Sequence, residues 1–254
     1  MAKENGDVRM NPSQTKLSKP VFLLGDCDLL RSTQGLDGDK LWLTRLLDYC
    51  ETPDPRVACV SIDQRVEQLG LEFSSVIVAM KQLGVTDCRL VSAHPDQTEK
   101  EWLFDADLLV IIGSNSLSER QTFFKSQLFD MIHEVVEQGV TVMAVADGAE
   151  SLGYWQEDAS GDSLMPGLEL IPAMIRLQEE AEPQPQLKEW INTLTKKDQP
   201  MVGLGVCYGG AVIIHPGFKL EPIGMPMSCL TPIDDEIEQE LVIPEPCLQR
   251  HRLH

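Results

Sequence analysis

Positive charge is scarce in this sequence: 21 Lys and Arg stand against 40 Asp and Glu, a formal net charge of −19 over 254 residues. The acidic residues are spread along the chain rather than gathered in one block. Such a surface repels phosphate backbones and anionic membranes, which need basic patches for attraction. Nucleic acid and membrane are therefore excluded as partners. Paired cysteines are missing too. The seven present, Cys27, Cys50, Cys59, Cys88, Cys207, Cys229 and Cys247, are odd in number and include no C-x-x-C pair, which argues against a disulfide framework or a zinc site. No His, Cys or carboxylate groups fall at zinc or EF-hand spacings. Gly203, Gly205, Gly209 and Gly210 lack the early strand, turn and helix of a dinucleotide site. No metal or other cofactor is expected. Long apolar runs are also absent: residues 1–19 are polar, and nothing approaches membrane-spanning length. The expected compartment is a reducing cytoplasm.

What is present is the material of one α/β domain. Hydrophobic content is 43%, and the length suffices for a substantial core. Short β-branched runs at Val21 to Leu24, Val57 to Ile62, Arg89 to Ser92, Leu108 to Ile112 and Val140 to Val145 alternate with helical spacing at Lys40 to Tyr49, Phe73 to Leu83 and Leu117 to Glu137. That alternation predicts a mostly parallel sheet covered by helices on both faces, with ligands bound beyond the carboxyl ends of the strands. The turns after Leu24, Ile112 and Val145 open on that edge. Tyr154 to Pro166 reads as a polar surface loop, Gln186 to Thr195 as a helix, and Met201 to Gly205, Ala211 to Ile214 and Phe218 to Pro222 as additional antiparallel strands. The expected organisation is a flexible leader over 1–19, the α/β domain over 20–224 and an extended tail over 225–254.

The most informative segment runs from Gly139 to Gly153: a buried strand, a turn of small residues and a helix. In hydrolases this geometry carries G-x-S-x-G, because small neighbours let one strained residue project its side chain above the sheet. Here Ala146 stands where that Ser would be, followed by Asp147 and Gly148. Asp147 has two readings, a base or nucleophile if the register slips by one, or a carboxylate receiving N–H groups at the helix start. Glu150, in the same first turn, reads as a charge favoured by the helix dipole. Cys207 is a thiol nucleophile or a structural cysteine, and Tyr208 lines a pocket or simply packs. None of the histidines, His94, His133, His215, His251 and His254, lies near Ala146 in sequence.

Taken in order, these segments resemble the cyanophycinase and alpha-aspartyl dipeptidase family of serine peptidases, within the class I glutamine amidotransferase-like group of flavodoxin-like folds. Val21-Phe22-Leu23-Leu24-Gly25-Asp26 sits at the family's first Gly-rich turn, and Gly113-Ser114-Asn115-Ser116 at its Gly-Gly-Asp-Gln-like turn. Ala146-Asp147-Gly148-Ala149 matches its Ser-Ala-Gly-Ala elbow. Gly167-Leu168-Glu169-Leu170-Ile171-Pro172 is similar to its Gly-Leu-Gly-Leu-Leu-Pro segment, and Gly203 to Val212 to its late Gly-rich segment. The resemblance spans Val21 to Gly224 and implies a pocket built from Gly25, Asp26, Gly113, Ser114, Asn115, Asp147, Glu150, Glu179, Cys207 and Tyr208. It also implies a degenerate triad, with Ala146 for the nucleophile, Glu179 where the His should fall, and Tyr208 at the late acidic position.

Three functions follow as alternatives. The first is an inactive relative that binds a peptide, an amino-acid-derived ligand or a protein partner, a second copy of the chain among them. The second is an active hydrolase of acidic peptides or cyanophycin-like material, with a rearranged site. The third is a structural or regulatory subunit.

Overall fold

The computed structural model describes residues 17–31, 39–62, 66–113, 121–158, 160–197, 199, 201–233 and 236–244. Ser114, Asn115, His251, His254, most of the expected leader and the last ten positions lie outside them.

Two sheets organise the described residues. The first has seven strands in the order β11-β10-β1-β5-β4-β2-β3. Its parallel part comprises β1 (Val21–Leu24), β2 (Val57–Ser61), β3 (Cys88–Val91), β4 (Leu108–Ile112) and β5 (Thr141–Val145). The antiparallel strands β10 (Ala211–His215) and β11 (Lys219–Ile223) extend it beside β1. Central strands buried on both faces need apolar residues at every position rather than at alternate ones, and β1, β2, β4 and β5 are buried throughout. One face, with Phe22 and Leu24 from β1, packs under the helices α1 (Asp28–Arg31), α2 (Asp39–Asp48) and α3 (Val66–Gln82), through Leu30, Trp42, Leu46, Val76 and Met80. Val21 and Leu23 face the other way, into a core shared with α4 (Gln97–Phe104), α5 (Gln127–Glu137) and the second sheet. In α5 the buried residues Leu128, Met131, Ile132 and Val135 recur at helical spacing, which gives one apolar stripe to this core. Of the helix expected over Leu117 to Glu137, residues 121–123 are helical and, after a turn, α5 runs from Gln127; residues 117–120 lie outside the described residues.

The second sheet, in the order β13-β12-β9-β8-β6-β7, corrects several expectations. The expected loop at Tyr154 to Pro166 is a hairpin of β6 (Gly153–Glu157) and β7 (Leu164–Pro166). The expected strand at Met201 to Gly205 is β9 (Val202–Cys207), which runs parallel to β8 (Ile171–Gln178), a strand not anticipated at all. Within the expected extended tail, β12 (Met227–Ile233) and β13 (Glu236–Val242) pair antiparallel and close this sheet against β9. Glu236, Glu238 and Glu240 alternate along β13, and a charged edge strand resists further pairing. The outer face of the sheet is covered by α7 (Pro185–Thr195), whose Leu187, Ile191 and Leu194 pack with Met174, Met201 and Leu230. No helix among the described residues is long and apolar enough to cross a membrane.

Between β5 and α6 (Asp147–Ser151) the chain makes the sharp turn that the sequence suggests. Ala146 adopts φ 52° and ψ −132°, a region that costs a residue with a side chain about 1–3 kcal/mol. It is held there by its N–H donating to Leu24 O at 3.0 Å and its carbonyl accepting from Ala149 N at 2.8 Å. Gly113 and Gly148 meet beneath it: a Cβ on Gly113 would lie 2.0 Å from Gly148 N, and one on Gly148 would lie 2.4 Å from Ile111 O. Any side chain at either position would drive α6 away from the end of β4.

The antiparallel hairpin is clasped to α2 by Glu221, which accepts from Arg45 Nη2 at 2.9 Å and lies 2.8 Å from His215 Nε2. The Arg45 guanidinium, helped by His215, holds the Glu221 carboxyl at about 2.

Two predictions follow from these contacts. Ala146→Gly should stabilise the protein by about 1 kcal/mol, because relief of the strained φ outweighs the backbone entropy of glycine, whereas Gly148→Ala should destabilise it by about 1–3 kcal/mol through overpacking. Opposite melting shifts for the two variants are the check. For Glu221 the folded pKa is depressed, so its stabilisation is present above the ordinary carboxylate pKa and disappears as pH falls through about 2. Glu221→Gln should therefore cost about 1 kcal/mol at pH 7, a modest figure because the pair is partly solvated. The gap between wild type and variant in melting scans should close between pH 5 and pH 2.

Candidate functional site

Beside the elbow lies a cavity of about 810 Å³. Its floor comes from β8. Ala173, Ile175 and Leu177 of that strand point into the core between the sheets, so Met174, Arg176 and Gln178 alternate onto the opposite face. Met174 packs under α7. Arg176 and Gln178 lie beyond that apolar contact and line the cavity. The Pro-rich stretch before α7 delays the helix until Pro185, and Gln184 and Pro185 form part of the rim. The turn of the β6–β7 hairpin supplies Asp158 and Ser160, and α6 supplies Asp147 and Glu150.

The electrostatics are one-sided. Seven carboxylates line the space: Asp147 and Glu150 at the elbow side, Glu157 and Asp158 on the hairpin, and Glu179, Glu180 and Glu182 on the loop after β8. Among the described residues, Arg176 is the single cation in that lining. Its Nη1 lies 2.9 Å from Glu157 Oε2 and 3.6 Å from Glu150 Oε1, while its Nε donates to Gln184 Oε1 at 3.4 Å. Both of those glutamates are buried, and Arg176 makes their burial tolerable, since charges taken out of water need a close partner. The hydroxyls of Ser163 and Ser160 lower the Asp158 carboxyl to about 2. Burial raises the Tyr208 phenol, and the nearby charges of Glu150 and Asp147 raise it further.

The expected site residues separate into two groups. Asp147, Glu150, Glu179 and Tyr208 line the cavity. Gly25, Asp26, Gly113 and Cys207 do not; they build the sheet edge beside it. A Cβ on Gly25 would meet Cys207 O at 2.1 Å. Asp26 accepts from Gly209 N at 2.7 Å and from Asp28 N at 2.8 Å, so its carboxylate fastens the first turn to the late Gly-rich turn. Cys207 is buried, and its burial raises the thiol pKa, the reverse of what a nucleophile needs. Ser114 and Asn115 lie outside the described residues.

Two role assignments change. The N-cap of α6 is Ala146, and Asp147 is the first residue of the helix, on the cavity wall. Glu150 does sit in the first turn, but its Oε1 accepts from Leu177 N at 2.9 Å. That bond ties the post-elbow helix to β8, a role beyond a dipole charge. Ser151, the nearest hydroxyl after the elbow, is fully buried and donates to Asp147 O at 3.0 Å. Glu179 occupies the loop where the resemblance places a His, and no described histidine lines the cavity. His215 ends β10 at the opposite edge of the sheet, since Ala211 rather than His215 pairs with Leu24; four residues of strand are roughly 13 Å.

Arg176, Glu157 and Gln178 were not legible as site residues. The available signal was the pair of polar residues at alternate positions in Ile175-Arg176-Leu177-Gln178, two-residue periodicity in a stretch not recognised as a strand. Gln178 is buried, donates from Nε2 to Ser228 Oγ at 3.2 Å, and has no partner for Oε1 among the described residues.

Comparison with known proteins places this geometry. No established family profile matches the chain. The cobyric acid synthases of Salmonella agona and Salmonella heidelberg are 32% identical over 117 residues, 41% of this chain, and the match spans 23% of the length of either relative. Among solved structures, a peptidase from an acI-B1 Actinobacterium superposes with a TM-score of 0.62 at 13% identity, covering 91% of this chain and 98% of its own. A putative peptidase E protein from Listeria monocytogenes superposes with a TM-score of 0.54 at 14% identity, covering 80% of this chain and 97% of its own. The elbow, the mixed first sheet and the strands that follow it therefore make up a peptidase E-like α/β fold.

Proposed function

We propose that this chain is a non-catalytic member of the cyanophycinase-like peptidase group that binds a peptide or amino-acid-derived ligand through a basic group. The observation that carries the reading is Ala146 at φ 52°. The backbone keeps the strained conformation that presents a nucleophile, and the side chain offers no attacking atom. A triad also needs a base within hydrogen-bond reach, and the described histidines are elsewhere. The rearranged hydrolase fares worse on the same contacts. Glu150 is committed to Leu177 and Arg176, and Cys207 is buried with a raised pKa.

The sign of the ligand follows from the walls. Among the described residues, seven carboxylates against one arginine repel an acidic peptide and attract a guanidinium or ammonium, most strongly where protein walls exclude water. The acidic peptides named among the sequence-based alternatives are therefore the weaker candidates.

The test has a covalent and a binding arm. Fluorophosphonate probes should leave wild type unlabelled, and Ala146→Ser should not turn over aspartyl dipeptides, because an unassisted hydroxyl stays protonated. Stoichiometric labelling of wild type, or turnover by the variant near ordinary enzyme rates, would overturn the reading. In low-salt calorimetry, arginyl dipeptides should bind and aspartyl dipeptides should not. The reverse order would assign the opposite ligand sign.

A further inference from the structure

We propose that the ring of Tyr208 is the surface on which the basic group of the cavity's ligand rests, so that Tyr208 selects for a cation through its aromatic face. The inference rests on the proposed reading of the cavity as a site for basic groups, and adds the residue that meets the ligand.

Tyr208 is held by its backbone and left open by its side chain. Its N–H donates to Gln178 O at 3.0 Å, and Gly210 N donates to Cys207 O at 3.1 Å, which closes a β-turn with Tyr208 and Gly209 at its centre. Gly209 takes φ 71°, a value that favours glycine as the third residue of such a turn. Asp26 accepts from Gly209 N at 2.7 Å, and Gly25 N donates to Gly210 O at 2.9 Å. The turn is thereby fastened to the ends of β8 and β1, while the Tyr208 residue is 46% exposed and lines the cavity. Seven large apolar residues are exposed among the described residues, and Tyr208 is the one aromatic among them and the one in the cavity lining. Core packing therefore does not account for a ring at this place. A tyrosine offers a broad, rigid face at a low cost in side-chain entropy.

The surroundings of that face suit a cation. Burial raises the phenol pKa, and Glu150, Asp147 and Asp26 raise it further against the opposing charge of Arg176. The ring therefore meets a ligand as a neutral phenol with carboxylates near it. Arg176 lies 2.9 Å from Glu157 and 3.6 Å from Glu150, so its own charge is matched. Among the described residues no Arg or Lys stacks over Tyr208; the ring covered in that way is Trp102, with Arg89 Cζ 3.8 Å from its centroid. An aromatic face is the negative end of a quadrupole and attracts a cation placed over it, more strongly where water is excluded. Carboxylates favour a cation that donates hydrogen bonds, whereas an aromatic face also holds one that has no donor to give.

That difference supplies the experiment. Acetyl-lysyl-alaninamide, its trimethyllysyl counterpart and its norleucyl counterpart are titrated by low-salt calorimetry into full-length wild type, Tyr208→Phe and Tyr208→Leu. Wild type should bind the two cationic probes within about threefold of each other and the neutral norleucyl probe at least about tenfold more weakly. Tyr208→Phe should keep both cationic affinities within about twofold, and Tyr208→Leu should weaken them by about three- to thirtyfold. A loss of more than about tenfold on trimethylation in wild type would assign the cation to the carboxylates alone and overturn the inference; this arm needs no variant to fold. Unchanged affinity in Tyr208→Leu would also overturn it and leave the basic-ligand reading intact. Norleucyl binding as tight as lysyl binding would make the ring a plain apolar contact and overturn selection for charge. Absence of lysyl binding to wild type would overturn it too, and the arginyl dipeptide titration then shows whether the basic-ligand reading falls with it.

Discussion

The close approach of Gly113 and Gly148 is the constraint on which the site depends. With no Cβ on either residue, the start of α6 lies directly against the end of β4. The turn between β5 and α6 is then short enough that Ala146 has to take its strained conformation. That position fixes the direction of α6, which brings Glu150 to Leu177 N and to Arg176. The second sheet is thereby docked to the first by a polar contact at the site as well as by the apolar core behind it. Loss of the backbone contact would loosen the elbow, the buried glutamates and the cavity together.

The parallel sheet and the elbow were legible in the sequence because each rests on a local rule. Fully buried strands read as continuous β-branched runs, and β1, β2, β4 and β5 do so. The elbow reads as a strand followed by small residues, and the structure turns sharply there, with a positive φ at Ala146. The second sheet was far less legible. In β8, Pro172 and Arg176 interrupt the apolar stretch, so it is not continuous, and alternation marks only its last four residues, Ile175 to Gln178. In β13, glutamates hold the exposed face of an edge strand, and Pro232 interrupts its partner β12. The stretch therefore read as an acidic tail.

The cavity was legible only on its elbow side. Asp147, Glu150, Glu179 and Tyr208 were found through the positions of neighbouring motifs. The hairpin and β8 walls were missed because no local pattern signals that Glu157 and Arg176, in strands separated in sequence but paired in space, will share a buried charge contact. A half-buried arginine between two buried glutamates is a property of strand pairing, and strand pairing is what a single sequence conveys least.

Catalysis and recognition are separable in this architecture because different elements supply them. On the proposed reading, the nucleophile position belongs to the turn after β5. Most of the cavity wall belongs to β8, the loop after it, the start of α7 and the β6–β7 turn. A change from a hydroxyl to a methyl at the elbow leaves the lining and its charge unaltered. The strain at Ala146 is also kept, because it is set by backbone packing rather than by the chemistry of the residue that carries it. On that reading, a single substitution removes bond cleavage and leaves a shaped, negatively charged cavity. Arg176 limits how far that negative charge can accumulate: its guanidinium lies 2.9 Å from Glu157 and 3.6 Å from Glu150, so the remaining carboxylates near the rim face an incoming cation with the field of those two glutamates already partly neutralised. Attraction is then strongest at the loop of Glu179, Glu180 and Glu182, where a basic group would first meet the cavity.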